Sequence, residues 1–209
     1  MKQKIRKWVV LVFMAAVILS LPGCGGGGGG GDVVYVPPGT IDLINNSVVT
    51  IDGFYLAHVD QRSWGPNILA GPLFPEQYTS IVDIYPDYYD AKIRAAGAYS
   101  DYFGYLYDIP IAAGDVVTLN VYNSSFTGSL EIYNNTLGTN IIGVYVVLAD
   151  APTWGANQAS SAIGPASSLH LTDLETGFYD VRVVWDIGPD SIDYDVRVDS
   201  LTLTTLTVD

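Results

Sequence analysis

The chain has 209 residues and one cysteine, so no intrachain disulfide forms and any folded part is held by packing alone. Nine basic residues face 22 acids, and four of the nine stand within the first seven positions. Only Arg62, Lys92, Arg94, Arg182 and Arg197 remain beyond that start, a net charge of −17; this excludes a basic stripe along nucleic acid and disfavours anionic lipid head groups.

Lys2, Lys4, Arg6 and Lys7 precede an apolar run from Trp8 to Leu21. That run is shorter than the ~20 residues of an ordinary membrane span and has the length of an export signal. It ends in Leu21-Pro22-Gly23-Cys24. This stretch resembles the cleavage site of bacterial lipoproteins, although Pro22 stands where that family more often carries Ala or Ser. The resemblance implies that residues 1–23 are removed and that Cys24 becomes the first mature residue, with a diacylglyceryl group on its thiol and an acyl chain such as palmitate on its amine. The alternative is an uncleaved signal anchor. In both cases the expected location is the bacterial cell envelope, and Gly25 after the cysteine resembles lipoproteins sorted to an outer membrane.

Residues 24–39 read as a linker. Gly25 to Gly31 are seven consecutive glycines, a flexible tether with a typical end-to-end distance of about 15 Å. No strand precedes them and no helix follows within the mature chain, so they do not fit a phosphate-binding loop. Pro37-Pro38-Gly39 stiffens and closes the linker, and the folded part is expected from about Thr40.

The folded part repeats itself. Asn45-Asn46-Ser47 recurs as Asn134-Asn135-Thr136, Ser63-Trp64-Gly65 as Thr153-Trp154-Gly155, Tyr89-Asp90 as Tyr179-Asp180 and Tyr107-Asp108 as Tyr194-Asp195. The order is kept at an offset between 87 and 90, which predicts two related modules, 40–124 and 128–209, joined by a turn from Asn123 to Gly128. Both show period two: Tyr179, Val181, Val183 and Trp185 alternate with Phe178, Asp180, Arg182 and Val184, and Tyr89, Ala91, Ile93 and Ala95 form the matching face. No mature segment sustains a helical period. The expectation is an all-β protein of two tandem small antiparallel β-sandwiches.

The stretch Leu174-Glu175-Thr176-Gly177-Phe178-Tyr179-Asp180-Val181-Arg182 resembles a turn and strand of prealbumin-like and related sandwich modules of bacterial envelope proteins. The resemblance places Gly177 at a left-handed turn position, where the first module has Asp87. It supplies no catalytic residues and implies adhesion, scaffolding or ligand display.

Several residues are candidates for a site. Trp64 before Gly65 and Trp154 before Gly155 are expected to plug one end of each core, the alternative being a ligand platform. Tyr89 and Tyr179 should point inward, with Asp90 and Asp180 outward toward Lys92 and Arg182. Tyr78, Tyr85, Tyr88, Tyr89, Tyr99, Tyr102, Tyr105 and Tyr107 gather eight of the fifteen tyrosines in one region, too many for one strand face to bury, so some should be free to stack on sugars or protein partners. Asp186, Asp190 and Asp193, followed by Asp195 and Asp199, offer oxygen ligands for a weak calcium site but lack the Asp-x-Asp-x-Asp-Gly loop and the late glutamate. His58 and His170 have no His-x-x-x-His or Gly-x-Ser-x-Gly companions, and no catalytic residue is identified. The expected protein is a non-enzymatic, lipid-anchored envelope module for binding, adhesion or structure. It requires no cofactor beyond the covalent lipid, and its partner is an envelope protein or a glycan. A surface protein that binds or degrades carbohydrate is the alternative.

Overall fold

The computed structural model describes residues 35–97 and 101–209, and residues Pro37–Asp209 form one compact unit. The first module contains β1 (Gly39–Asn45), β2 (Ile51–His58), β3 (Tyr78–Ile84), β4 (Asp87–Ala95), β5 (Tyr102–Ile111) and β6 (Val116–Val121). The second contains β7 (Gly128–Asn134), β8 (Ile141–Leu148), β9 (Ser167–Leu174), β10 (Gly177–Trp185), β11 (Ser191–Val198) and β12 (Leu203–Val208). The fold is all-β, as period two requires.

Each module packs two three-stranded sheets. In the first, β3-β1-β6 covers β2-β4-β5; in the second, β9-β7-β12 covers β8-β10-β11. The ladders are antiparallel except for β1 with β6 and β7 with β12, which run parallel because the last strand of each module returns beside its first. Ile41 and Leu43 from β1, Phe54 from β2 and Ile93 from β4 meet in the first core. Leu130, Ile132, Val144, Val181 and Val183 do the same in the second.

The repeat extends to backbone irregularities. Positive φ occurs at Glu76 and Ala166 (65° and 54°), at Asp83 and Asp173 (61° and 63°), and at Asp108 and Asp195 (55° and 56°). Asp108 and Asp195 sit in bulges, where β5 and β11 shift register against Tyr89–Ala91 and Tyr179–Val181. Gly177, expected at a left-handed turn position, is an ordinary first residue of β10, and the nearby positive φ is at Asp173 inside β9, where that strand bulges against Gly128–Leu130. Aspartate is among the few side chains that enter this region readily, so β3 and β9 bulge alike at Asp83 and Asp173 without a glycine.

Asn45 and Asn134 are fully buried and act as internal staples. Asn134 Nδ2 donates to the carbonyls of Thr139 and Ile163, both at 2.9 Å, and its Oδ1 accepts from Thr136 N at 3.1 Å and Thr136 Oγ1 at 2.8 Å. Asn45 does the same with Val49, Leu73 and Ser47. The joining segment belongs to the packed structure: Asn123–Ser125 form a 3-10 turn, Phe126 enters the first core, and Leu201 from the second module packs against that core.

Candidate functional site

The outer face of the β2-β4-β5 sheet is built differently from the rest of the molecule. Opposed residues in adjacent strands share a face, so the register sets Tyr55, Lys92 and Tyr105 in one row and Gly53, Arg94 and Phe103 in the next. The loop after β2 is tied along that strand by Gly65 N–H to Leu56 O, at 3.0 Å, and by Phe54 N–H to Asn67 Oδ1, at 3.0 Å. This carries Trp64 over the sheet, with its ring centroid 5.9 Å from that of Tyr105. Lys92 Nζ stands 3.8 Å above the Phe103 ring and 6.0 Å from that of Tyr105. Arg94 Nε donates to Asp52 Oδ1 at 2.9 Å and lies 3.9 Å from Asp101 Oδ2. Tyr55, Trp64, Gly65, Lys92, Arg94, Asp101 and Phe103 line a cavity of about 300 Å³.

Trp64 and Trp154 are therefore not core plugs. Both are half-buried and outside the hydrophobic cores. Phe54, Phe126 and Tyr89 help fill the first interior, while the loop's hydrogen bonds to the β2 edge leave the Trp64 ring outside. A Cβ at Gly65 would lie 2.7 Å from Leu56 O, so close strand approach demands glycine there, whereas at Gly155 the nearest atom is 3.8 Å away.

One side of the shelf meets the second module. Tyr105 Oη donates to Asp173 Oδ2 at 2.7 Å, and the Tyr107 ring stacks beside Tyr105 at 6.3 Å and 9°. Burial first, and then the bond to Asp173, pushes the Tyr105 phenol far above its usual range. It therefore remains a donor.

The second module lacks this shelf. Tyr145 and Arg182 take the places of Tyr55 and Lys92, but Ile192 replaces Tyr105 and Val184 replaces Arg94, while Asp190, just before β11, stands at the repeat position of Phe103. Arg182 Nε then donates to Asp190 Oδ2 at 2.8 Å, and the guanidinium stacks 5.6 Å above Tyr145. The cation is answered within the module.

The same ion pair engages one member of the expected calcium loop. Asp186 accepts from Asn140 N at 3.0 Å and Nδ2 at 2.7 Å, Asp190 holds Arg182, and Asp193 lies in β11 opposite Val181. Among the described residues no three His, Cys, Asp or Glu side chains gather around one point. Each acid instead follows its own strand or donor, Asp199 pairing with Arg197 at 2.9 Å.

Tyr89 and Tyr179 point inward, and their hydroxyls donate to the carbonyls of Tyr85 and Glu175 at 2.9 and 2.8 Å. Asp90 and Asp180 share the outer face with Lys92 and Arg182 but cap the bulges, accepting from Asp108 N at 3.1 Å and Asp195 N at 3.2 Å. That backbone role explains the repeated Tyr-Asp pairs, and it overrides the expected Asp180–Arg182 contact because Arg182 is engaged by Asp190. His58 Nδ1 lies 3.1 Å from Asp87, and His170 Nε2 lies 3.5 Å from Glu131. Hydrogen bonds from Ser168 and Thr205, and then His170, hold Glu131 below the usual carboxylate range. Of the clustered tyrosines, Tyr89 and Tyr102 are buried, whereas Tyr78, Tyr85, Tyr88 and Tyr107 are exposed. Cys24 and Tyr99 lie outside the described residues.

No protein-family model and no curated protein matches the chain. Among solved structures, the minor pilin GBS52 of Streptococcus agalactiae overlaps 81% of this chain and 94% of its own, at 8% identity and a TM-score of 0.32. The shaft pilin SpaA of Lactobacillus rhamnosus GG overlaps 82% and 98%, at 10% identity and a TM-score of 0.27. The Bacillus anthracis TIE protein overlaps 83% of this chain, at 11% identity and a TM-score of 0.29, and the chain spans about a third (34%) of its length. At these TM-scores the overlaps carry no functional argument.

Proposed function

We propose that this chain is a non-catalytic, lipid-anchored binding module of the bacterial cell envelope, tethered through Cys24 and presenting the outer face of β2-β4-β5 to its ligand. The observation that carries the reading is the contrast between two modules with matching cores and unlike outer faces. In the first module Arg94, held by Asp52, lines the cavity with Tyr55 and Trp64, and Lys92 stands over the Phe103 ring. The corresponding cation of the second, Arg182, is neutralised by Asp190. The glycine run gives the module reach from the membrane, and the sheets hold the shelf rigidly.

The test has two parts. Cys24→Ser should release exported protein from membranes or stall its processing, because stable attachment needs more than one buried acyl chain; processed variant that still sediments after a salt wash refutes the anchor. Mature chain carrying Cys24→Ser is then immobilised and exposed to protein and glycan fractions of the cell envelope. Retention should fall at least tenfold with Trp64→Ala plus Lys92→Met and remain unchanged with Trp154→Ala. Equal retention by all three refutes the shelf as the binding face.

A further inference from the structure

We infer that the cavity between Trp64, Tyr55 and Lys92 binds an uncharged saccharide, with a pyranose ring against the aromatic walls and its hydroxyls shared between the basic and acidic side chains. The inference rests on the proposed binding role of this face and names the class of ligand.

Three observations select that class. The walls are aromatic, Tyr55 and Trp64 with Phe103 behind Lys92, and an aromatic face gives an apolar surface to the C–H groups of a sugar ring. The rim holds both kinds of hydrogen-bonding group. Lys92 and Arg94 are donors only, and Asp101, which lines the cavity with them, is an acceptor only, as is Asp52, which holds Arg94 from beside it. A hydroxyl is a donor and an acceptor at once, so a polyol satisfies such a mixed rim, whereas an anion is matched by only half of it. Finally, the charges do not favour an anionic ligand. Lys92 and Arg94 are offset by Asp52 and Asp101, Asp90 is buried on the same face, and the chain beyond residue 23 carries −17. The cavity volume, about 300 Å³, falls at the small end of the range of ligand pockets, roughly 300–1,000 Å³, as a site for one or two sugar rings should.

The inference excludes the corresponding face of the second module. There Asp190 stands at the repeat position of Phe103, and its bond to Arg182 closes the rim on itself.

The decisive experiment is titration of 15N-labelled mature chain carrying Cys24→Ser with separate neutral hexasaccharides of glucose, mannose, galactose and xylose. Trigalacturonate serves as the charged comparison. The indole resonance of Trp64, assigned through Trp64→Phe, should move with at least one neutral sugar while that of Trp154 stays still. Binding should weaken at least tenfold in Trp64→Ala and in Lys92→Met, each checked for an unchanged melting temperature, and should be insensitive to 0.5 M salt. Stronger binding of trigalacturonate, or affinity that collapses with salt, refutes recognition of an uncharged ligand. Shifts at Trp154 alone refute the location. Shelf-dependent retention of an envelope protein, with no neutral sugar bound, overturns this inference and leaves the binding-face reading standing.

Discussion

Replacing Asn134 by alanine tests whether the repeat is maintained by buried side-chain staples. The amide makes four hydrogen bonds of 2.8–3.1 Å at a fully buried position. Two of the groups it leaves have other partners: Ile163 O still accepts Ile141 N–H at 3.0 Å, and Thr136 Oγ1 can donate to Thr139 O, 2.8 Å away. Thr136 N–H loses its bond to Oδ1, and a small cavity opens beside it. An unsatisfied buried polar group costs about 1–3 kcal/mol, and the other lost bonds about 0.5–1.5 kcal/mol each before rearrangement, so the expected destabilisation is about 3 kcal/mol. For the compact unit Pro37–Asp209, that lowers Tm by about 6–12 °C. Urea unfolding followed by near-ultraviolet circular dichroism measures the change, with Asn45→Ala as the matching substitution in the first module. Asn135→Ala, which removes only an exposed bond to Asp209, should cost less than about 0.5 kcal/mol. A loss below about 1 kcal/mol at Asn134, or an equal loss at Asn135, refutes the staple.

Other outcomes follow from the same geometry. Burial, and secondarily Glu175, raises the Tyr179 pKa to about 12, above the ordinary tyrosine value of about 10. Its stabilising effect is complete below pH 10 and is lost as pH rises toward 12, so Tyr179→Phe should flatten the alkaline limb of a stability–pH curve; an unchanged limb refutes this. Because the acids of the 186–193 segment are held by Asn140 and Arg182 or paired into β11, melting curves in chelator and in millimolar calcium should coincide; a calcium-dependent rise in Tm would restore the loop as a metal site.

Much of the architecture is encoded locally. A side chain alternates faces every residue along a strand, so the buried set on β10, Tyr179, Val181, Val183 and Trp185, follows from period two. The doubled Asn-Asn, Trp-Gly and Tyr-Asp signals likewise disclose two copies before any coordinate is known, because repeated backbone geometry keeps selecting the same residue types. Their roles are another matter. Trp64 read as a core plug, and Asp180 as the partner of Arg182, because one strand's pattern says which face a residue occupies but nothing about which neighbour reaches it first. Register across three strands decided that Tyr55, Lys92 and Tyr105 share a row, and hydrogen bonds along the β2 edge decided that Trp64 covers it. The requirement for glycine at 128, where a Cβ would lie 2.2 Å from Asp199 O, arises from a segment 71 residues away in the chain. Strand identity and repetition depend on short-range sterics and hydrophobic alternation. The shelf depends on contacts between residues distant in sequence, and those exist only once the sheets have assembled.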